Sequence, residues 1–235
     1  MESYGNRLMY DILLFFLGLI IGSFLNVVIY RWPRNESISY PSSHCVKCNH
    51  TIKWYDNIPV ISYIFLKGKC RNCFEKISVR YPLVELITGV MFLITYKLTG
   101  FNYELIINLS LTIIFIIIIF IDIDHHIIPD SMTLSIFILS IVLIIIKSTN
   151  QIEYDYISNI IGFIIGFSSL FLIRFISTAI YKKEAMGFGD VKLFAALGLL
   201  LGLQNIILSF IISFVLAALI EVILIGLKYR NRESE

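Results

Sequence analysis

The sequence predicts an all-α polytopic membrane protein of about seven transmembrane helices, with six or eight as the bounds, and a cytoplasmic zinc-binding loop. Three observations lead there. Hydrophobic residues make up 57% of the chain and charged ones 15%, well below the roughly 25% charge with which a soluble domain covers its surface. The apolar residues gather in runs close to the roughly 20 residues that a helix needs to cross a bilayer. Those runs do not alternate apolar with polar, which excludes an outer-membrane barrel. The same apolar content excludes intrinsic disorder, and a net charge of +2 over 235 residues gives no sign of a nucleic-acid partner.

The spans follow in order. The first covers Tyr10 to Tyr30, with Asp11 at its outer edge. Arg7 is the sole basic residue before it, and no small-x-small cleavage site follows. Arg31, Trp32 and Arg34 come directly after it, so it reads as a retained anchor rather than a signal peptide. The second covers Leu83 to Thr99 and the third Leu105 to Ile121, nearly pure Ile, Leu and Phe. The fourth is Met132 to Ile146 and the fifth Ile157 to Ile180. Val191 to Leu227 is too long for one span, and Gly202-Leu203-Gln204-Asn205 offers a break. It reads as two helices, the first of them short.

Charge orients the spans. Nine Lys and Arg residues lie in Arg31–Arg80, four more are Arg174, Lys182, Lys183 and Lys192, and three are Lys228, Arg230 and Arg232. With seven spans these regions share one face, and Arg7, Lys97 and Lys147 lie on the other. The positive-inside rule then puts the N-terminus outside and the C-terminus in the cytoplasm. The chain divides into an N-terminal transmembrane helix (1–30), a cytoplasmic loop (31–81) and a polytopic domain (82–235).

That loop holds all four cysteines, as Cys45-x-x-Cys48 and Cys70-x-x-Cys73 with 21 residues between the pairs. Each C-x-x-C offers two thiolates from one tight turn, and two such turns close a tetrahedral Zn²⁺ shell. In the reducing cytoplasm structural disulfides are rare, and a loop with little apolar core gains order from a metal. A shell of four thiolates has no open position, so the zinc is structural. His44 and His50 flank the first pair and could substitute as ligands, but a lone His near a Cys pair is more often a bystander.

Ionisable groups at membrane depth usually have a function. The third span ends in Asp122-Ile123-Asp124-His125-His126, followed by Pro129-Asp130, and the sixth opens with Gly187-Phe188-Gly189-Asp190. Asp122 or Asp124 and Asp190 therefore lie at one face of the membrane on different helices. Two facing carboxylates share a proton, one acting as base on a water and the other as acid toward a carbonyl. That is peptide hydrolysis without a metal. The simpler reading makes these aspartates helix caps. It suits Asp190 at a helix start and Asp130 with Ser131, but not Asp122, whose charge opposes the dipole at a C-terminal end. Asn26 and Glu85, also at membrane depth, read as interhelical hydrogen bonds.

These residues, with Gly22-Ser23-Phe24-Leu25-Asn26-Val27-Val28-Ile29-Tyr30-Arg31, the paired C-x-x-C loop and Arg80-Tyr81-Pro82-Leu83-Val84-Glu85, resemble the type IV prepilin peptidase family in the same order. This is the family of bifunctional leader peptidases and N-methyltransferases with a G-x-G-D signature. The resemblance implies catalytic aspartates at Asp122, whose spacing to Ile128-Pro129-Asp130 is kept, and at Asp190, with Asp124 the local rival. It implies cleavage after Gly of the short basic leader of prepilins or pseudopilins at the cytoplasmic face of the bacterial inner membrane. Methylation of the new N-terminus by S-adenosylmethionine would follow. No residue is assigned to that second step, and the precursors could serve pili, secretion or DNA uptake. Two other classes stay open. One is a metal-dependent membrane enzyme using Asp122, Asp124, His125 and His126, although no H-E-x-x-H spacing is present. The other is a non-enzymatic membrane assembly factor.

Overall fold

The computed structural model describes residues 4–150, 154–182 and 186–232. Seven α-helices run through them: α1 (Tyr4–Arg31), α2 (Ile61–Phe65), α3 (Arg80–Thr99), α4 (Glu104–His125), α5 (Asp130–Asn150), α6 (Tyr156–Tyr181) and α7 (Phe188–Arg232). Among the described residues there is no strand, only isolated bridges at His44–Thr51 and Lys69–Lys76. Six helices, all but α2, are long and apolar enough to cross a membrane. Each span expected from the sequence lies within one of them. The chain divides into two compact units, Met1–Met132 and Thr133–Glu235.

In the first unit α1 lies along α3, and α4 packs on both. In lipid, apolar side chains give helices no reason to associate, so close backbone approach supplies the contact. Glycines permit it here. A Cβ on Gly18 would lie 2.7 Å from the Gly89 Cα, and one on Gly22 2.7 Å from the Glu85 Cα. Polar side chains tie the same surfaces. Asn26 of α1 donates to the Tyr81 carbonyl of α3 at 3.0 Å, the interhelical bond expected of it, and the hydroxyls of Thr95 and Thr112 join α3 to α4 at 3.1 Å. At one end of this bundle Lys97 meets Asp11 at 3.5 Å, and Tyr10 stacks on Phe101.

In the second unit α6 packs against α7, again through glycine. Gly162 and Gly198 meet backbone to backbone, leaving no room for a Cβ on either. The last apolar tract, expected to break near Gly202, does so at that residue, which takes φ 77° and ψ 175°. Phe194 and Phe210 stand sixteen residues apart in sequence. On a straight helix that is about 24 Å, yet their ring centroids are 5.7 Å apart. So α7 bends back on itself at Gly202 as a hairpin of two arms, 188–201 and 203–232, the first short.

Breaking a helix in a bilayer strands backbone groups that no water can satisfy. At Gly202 the pair lost is the Leu203 N–H and the Leu199 carbonyl. Neighbouring side chains on α6 take both: Leu203 N–H donates to Ser158 Oγ at 3.1 Å, and Asn159 Nδ2 donates to the Leu199 carbonyl at 2.8 Å. Tyr154 Oη holds the other end of that amide at 3.1 Å. Asn159→Leu should therefore destabilise the protein by about 1–3 kcal/mol, the penalty for an orphaned buried acceptor. Asn205→Leu, at an exposed position, should change stability little. Thermal unfolding in detergent micelles checks the difference.

Candidate active site and metal centre

The loop between α1 and α3 is built from one turn used twice. In the first copy Cys45 N–H donates to the His50 carbonyl and Asn49 N–H to the Cys45 carbonyl, at 3.0 and 2.9 Å. In the second, Cys70 N–H donates to the Glu75 carbonyl and Phe74 N–H to the Cys70 carbonyl, at 2.8 and 3.0 Å. The fifth residue of each copy, Asn49 or Phe74, has positive φ, 54° and 60°. The hydrogen bond from that residue to the first cysteine's carbonyl closes a turn over each pair, which sets its two cysteines side by side. One ligand atom from each of Cys45, Cys48, Cys70 and Cys73 then lies within 4.8 Å of all the others. Cys45 Sγ and Cys73 Sγ are 3.8 Å apart. A Zn–S bond of about 2.3 Å in a tetrahedron implies S···S near 3.8 Å, so the four thiols fit such an ion.

The backbone already favours thiolate here. A hydrogen bond from the His50 backbone lowers the Cys48 pKa. Bonds from the backbone of Cys73 and Asn72 lower Cys70 to about 7. Cys73 is pushed up to about 12: a backbone bond from Glu75 lowers it, but burial and the three neighbouring sulfurs outweigh that bond. His44 and His50 stay outside the cluster, as bystanders to the cysteine pairs. The His44 ring is bonded instead to the Ser42 carbonyl at 3.0 Å.

Three charged side chains fasten this module. Arg31, buried at the end of α1, donates to the carbonyls of Ser37, Ile38 and Pro41 at 2.9, 3.3 and 2.7 Å. Arg71 grips Asp56 through Nε and Nη2, and that guanidinium holds the Asp56 carboxyl below the usual carboxylate range. Glu85 makes the bond between helices expected of it and also reaches out of α3. Its Oε2 accepts the Val60 N–H at 2.7 Å, and Ser23 of α1 donates to the same carboxylate.

The aspartates divide between the units. Asp122 and Asp124 stand in the last turn of α4, whose end is capped by His126 in the left-handed region with its N–H on the Asp122 carbonyl. Two residues on a helix differ by about 200° in direction, so the two carboxylates cannot serve one site equally. Arg80, the first residue of α3, separates them. It forms an ion pair with Asp124, donates to the Phe120 carbonyl at 3.3 Å, and lies 5.4 Å from the centre of the Phe120 ring. Asp122 is exposed and takes no part in that pair.

Asp190 lies in the first turn of α7, in the second unit, where the helix dipole favours a carboxylate. A Cβ on Gly187 would come 3.2 Å from its Oδ2. Arg174 and Lys192 flank the Phe188 ring at 5.1 and 5.2 Å, making this helix start strongly basic. Asp122, Asp124, His125 and His126 form no metal-ligand cluster; among the described residues the four cysteines are the only such group. The bonds made by Arg31, Arg80, Ser158 and Asn159 leave no signal in the sequence. The two arginines sit at helix–loop junctions, where basic residues mark any inner membrane boundary, and that generic signal hides their specific bonds.

Comparison with known proteins places the chain. Residues 16–98 match the bacterial peptidase A24 N-terminal domain and residues 109–222 the type IV leader peptidase family. A prepilin leader peptidase/N-methyltransferase of Myxococcus xanthus is 40% identical over 190 residues, 81% of this chain and 56% of that protein. Proteins of the same name from Neisseria gonorrhoeae and Vibrio cholerae are 37% and 36% identical, over 85% and 88% of this chain and 77% and 84% of their own lengths. No solved structure matches the chain. With both family models covering the helical bundle and the cysteine module, and relatives aligned over most of their length, this multi-pass membrane protein is an enzyme that belongs to the type IV leader peptidase family.

Proposed function

We propose that Asp122 and Asp190 meet at the cytoplasmic face of the inner membrane and together hydrolyse the peptide bond after the leader glycine of prepilins or pseudopilins. The observation that carries this is the Arg80–Asp124 ion pair. It occupies the rival carboxylate and leaves Asp122 as the acid available at the end of α4. The family, the G-x-G-D turn before α7 and the charge bias of the loops support it. The N-terminus lies outside, so α4 ends and α7 begins on the cytoplasmic side, where a basic leader would remain.

In this reaction one aspartate is ionised and one protonated, since neighbouring carboxylates do not both ionise readily. The carboxylate takes a proton from water, the water oxygen attacks the scissile carbonyl carbon, and the carboxylic acid protonates the carbonyl oxygen. Collapse of the tetrahedral species expels the amine, which takes the proton drawn from the water by the first aspartate, while the second aspartate recovers its proton from a hydroxyl of the gem-diol. The absence of side chains at Gly187 and Gly189 leaves room for an extended substrate backbone beside Asp190.

The four cysteines would hold Zn²⁺ as a structural ion that closes the two turns of the module and has no role in the hydrolysis. S-adenosylmethionine, when bound, would supply the methyl group for the new N-terminal amine, the second activity in the relatives' name. A cavity lined by Asn26, Tyr30, Ser78, Arg80 and Tyr81 lies beside the module, but at about 150 Å³ it is smaller than the roughly 300 Å³ at which ligand pockets begin. These residues do not fit the whole donor, and no methylation step is assigned to them.

Two experiments test the reading. In cleavage of a model prepilin, Asp122→Asn and Asp190→Asn should each lose about 10²–10⁴-fold in kcat, the range for an acid or base. Asp124→Asn, His125→Ala and His126→Ala should retain cleavage. A dead Asp124→Asn with an active Asp122→Asn would move the site by one helical step, and dead histidine variants would favour the metal-dependent enzyme. Separately, elemental analysis of the purified protein should find one zinc per chain. Cys45→Ser with Cys48→Ser should lose it and open the loop to trypsin at its lysines.

A further inference from the structure

The cysteine module carries an apolar face that neither the metal nor the peptidase reading uses. In α2, Ile61, Ile64 and Phe65 follow the spacing that puts side chains on one face of a helix. All three are exposed, Ile64 at 67% and Phe65 at 82%. The opposite side is the packed one. Ser62 is buried, accepts the Ile58 N–H at 3.0 Å and donates to the Tyr55 carbonyl at 2.8 Å. So α2 is fixed to the 3₁₀ turn Trp54–Asn57 through its polar side and turns its apolar side outward. Lys67 and Lys69 follow it directly, and Lys53 precedes the turn.

The position of α2 relative to the bilayer follows from Glu85. That residue lies five positions beyond Arg80, about 7–8 Å along α3 from its start. Helical side chains lean toward the N-terminus, so its carboxylate lies slightly nearer that end. The bond to Val60 N–H holds the Pro59–Ile61 turn at this depth. The turn is tight: Ile61 N–H donates to the Pro59 carbonyl at 2.5 Å, and Val60 has φ 60° and ψ −47°. α2 starts at the next residue, hence at the level where headgroups give way to acyl chains. Exposed Ile and Phe beside Lys at that level match an interfacial helix, and the lysines suit an anionic leaflet.

We propose that α2 lies in the membrane interface, with Ile61, Ile64 and Phe65 inserted among the lipids. This docks the cysteine module onto the bilayer and holds it flat against the surface. The inference rests on the membrane placement of α1 and α3 and is independent of which aspartates cleave peptide bonds.

The test uses the full-length protein with Trp32→Phe, Trp54→Phe and Phe65→Trp, which leaves a single tryptophan. It is placed in nanodiscs of phosphatidylethanolamine and phosphatidylglycerol. Lipids brominated near the top of the acyl chain should quench this tryptophan at least about twofold, and aqueous iodide should quench it weakly. Ile64→Trp in the same background should read the same way, and serves if Phe65→Trp folds poorly. Strong iodide quenching with no effect of bromolipid would overturn the proposal. Shielding from both quenchers would overturn it too, because the face would then be covered by protein, either substrate or a second copy.

Discussion

The structure depends on backbone-to-backbone contact between helices in a solvent that gives apolar side chains no incentive to associate. Gly18 and Gly22 let α1 reach α3, and Gly162, Gly166 and Gly198 let α6 reach the first arm of α7. The candidate site residues are placed by these contacts. Gly22 sets α1 against the Glu85 backbone, which brings Ser23 to the Glu85 carboxylate and leaves that carboxylate free to catch Val60. Gly198 and Gly202 set the hairpin whose first turn presents Asp190. A methyl group at Gly198 would strike the Gly162 carbonyl, and the alignment of that hairpin would change with it.

Polar side chains then satisfy the groups that the packing exposes. Ser158 and Asn159 take over the hydrogen bond lost at Gly202. Asn26 bonds the Tyr81 carbonyl in the first turn of α3, where proline follows at position 82. Arg80 binds both the side chain of Asp124 and the carbonyl of Phe120 near the end of α4, a place where a cation also suits the helix dipole. Through these bonds the ends of α3 and α4 are fixed to one another, and the direction of Asp122 is fixed with them.

Much of this was legible in the sequence because its signals are local. The six apolar runs, the break at Gly202 and the two C-x-x-C turns each depend on a few consecutive residues. The preference for Asp122 over Asp124 came from the family resemblance, and helix geometry added only that the two point in different directions around α4. The partner that takes Asp124 lies forty-four residues away, so spacing could not show it. Glu85 shows the same limit. Its depth in a span suggests a partner in another helix, and Ser23 is that partner, but the second partner, the Val60 N–H of a loop turn, left no mark in the spacing. The backbone repeat of the cysteine turns was hidden too, because Asn49 and Phe74 share a conformation and not a chemistry.

The proposed chemistry requires one aspartate from each compact unit to reach a single water. The most direct measurement is disulfide formation in native membranes, read by mass spectrometry of the joined peptides, in protein carrying Asp122→Cys with Asp190→Cys, and in protein carrying Asp124→Cys with Asp190→Cys. A disulfide requires Cα atoms within about 7 Å. Convergence of Asp122 and Asp190 requires rapid joining of the first pair and little of the second. Joining of the second pair without the first, or of neither, would contradict it.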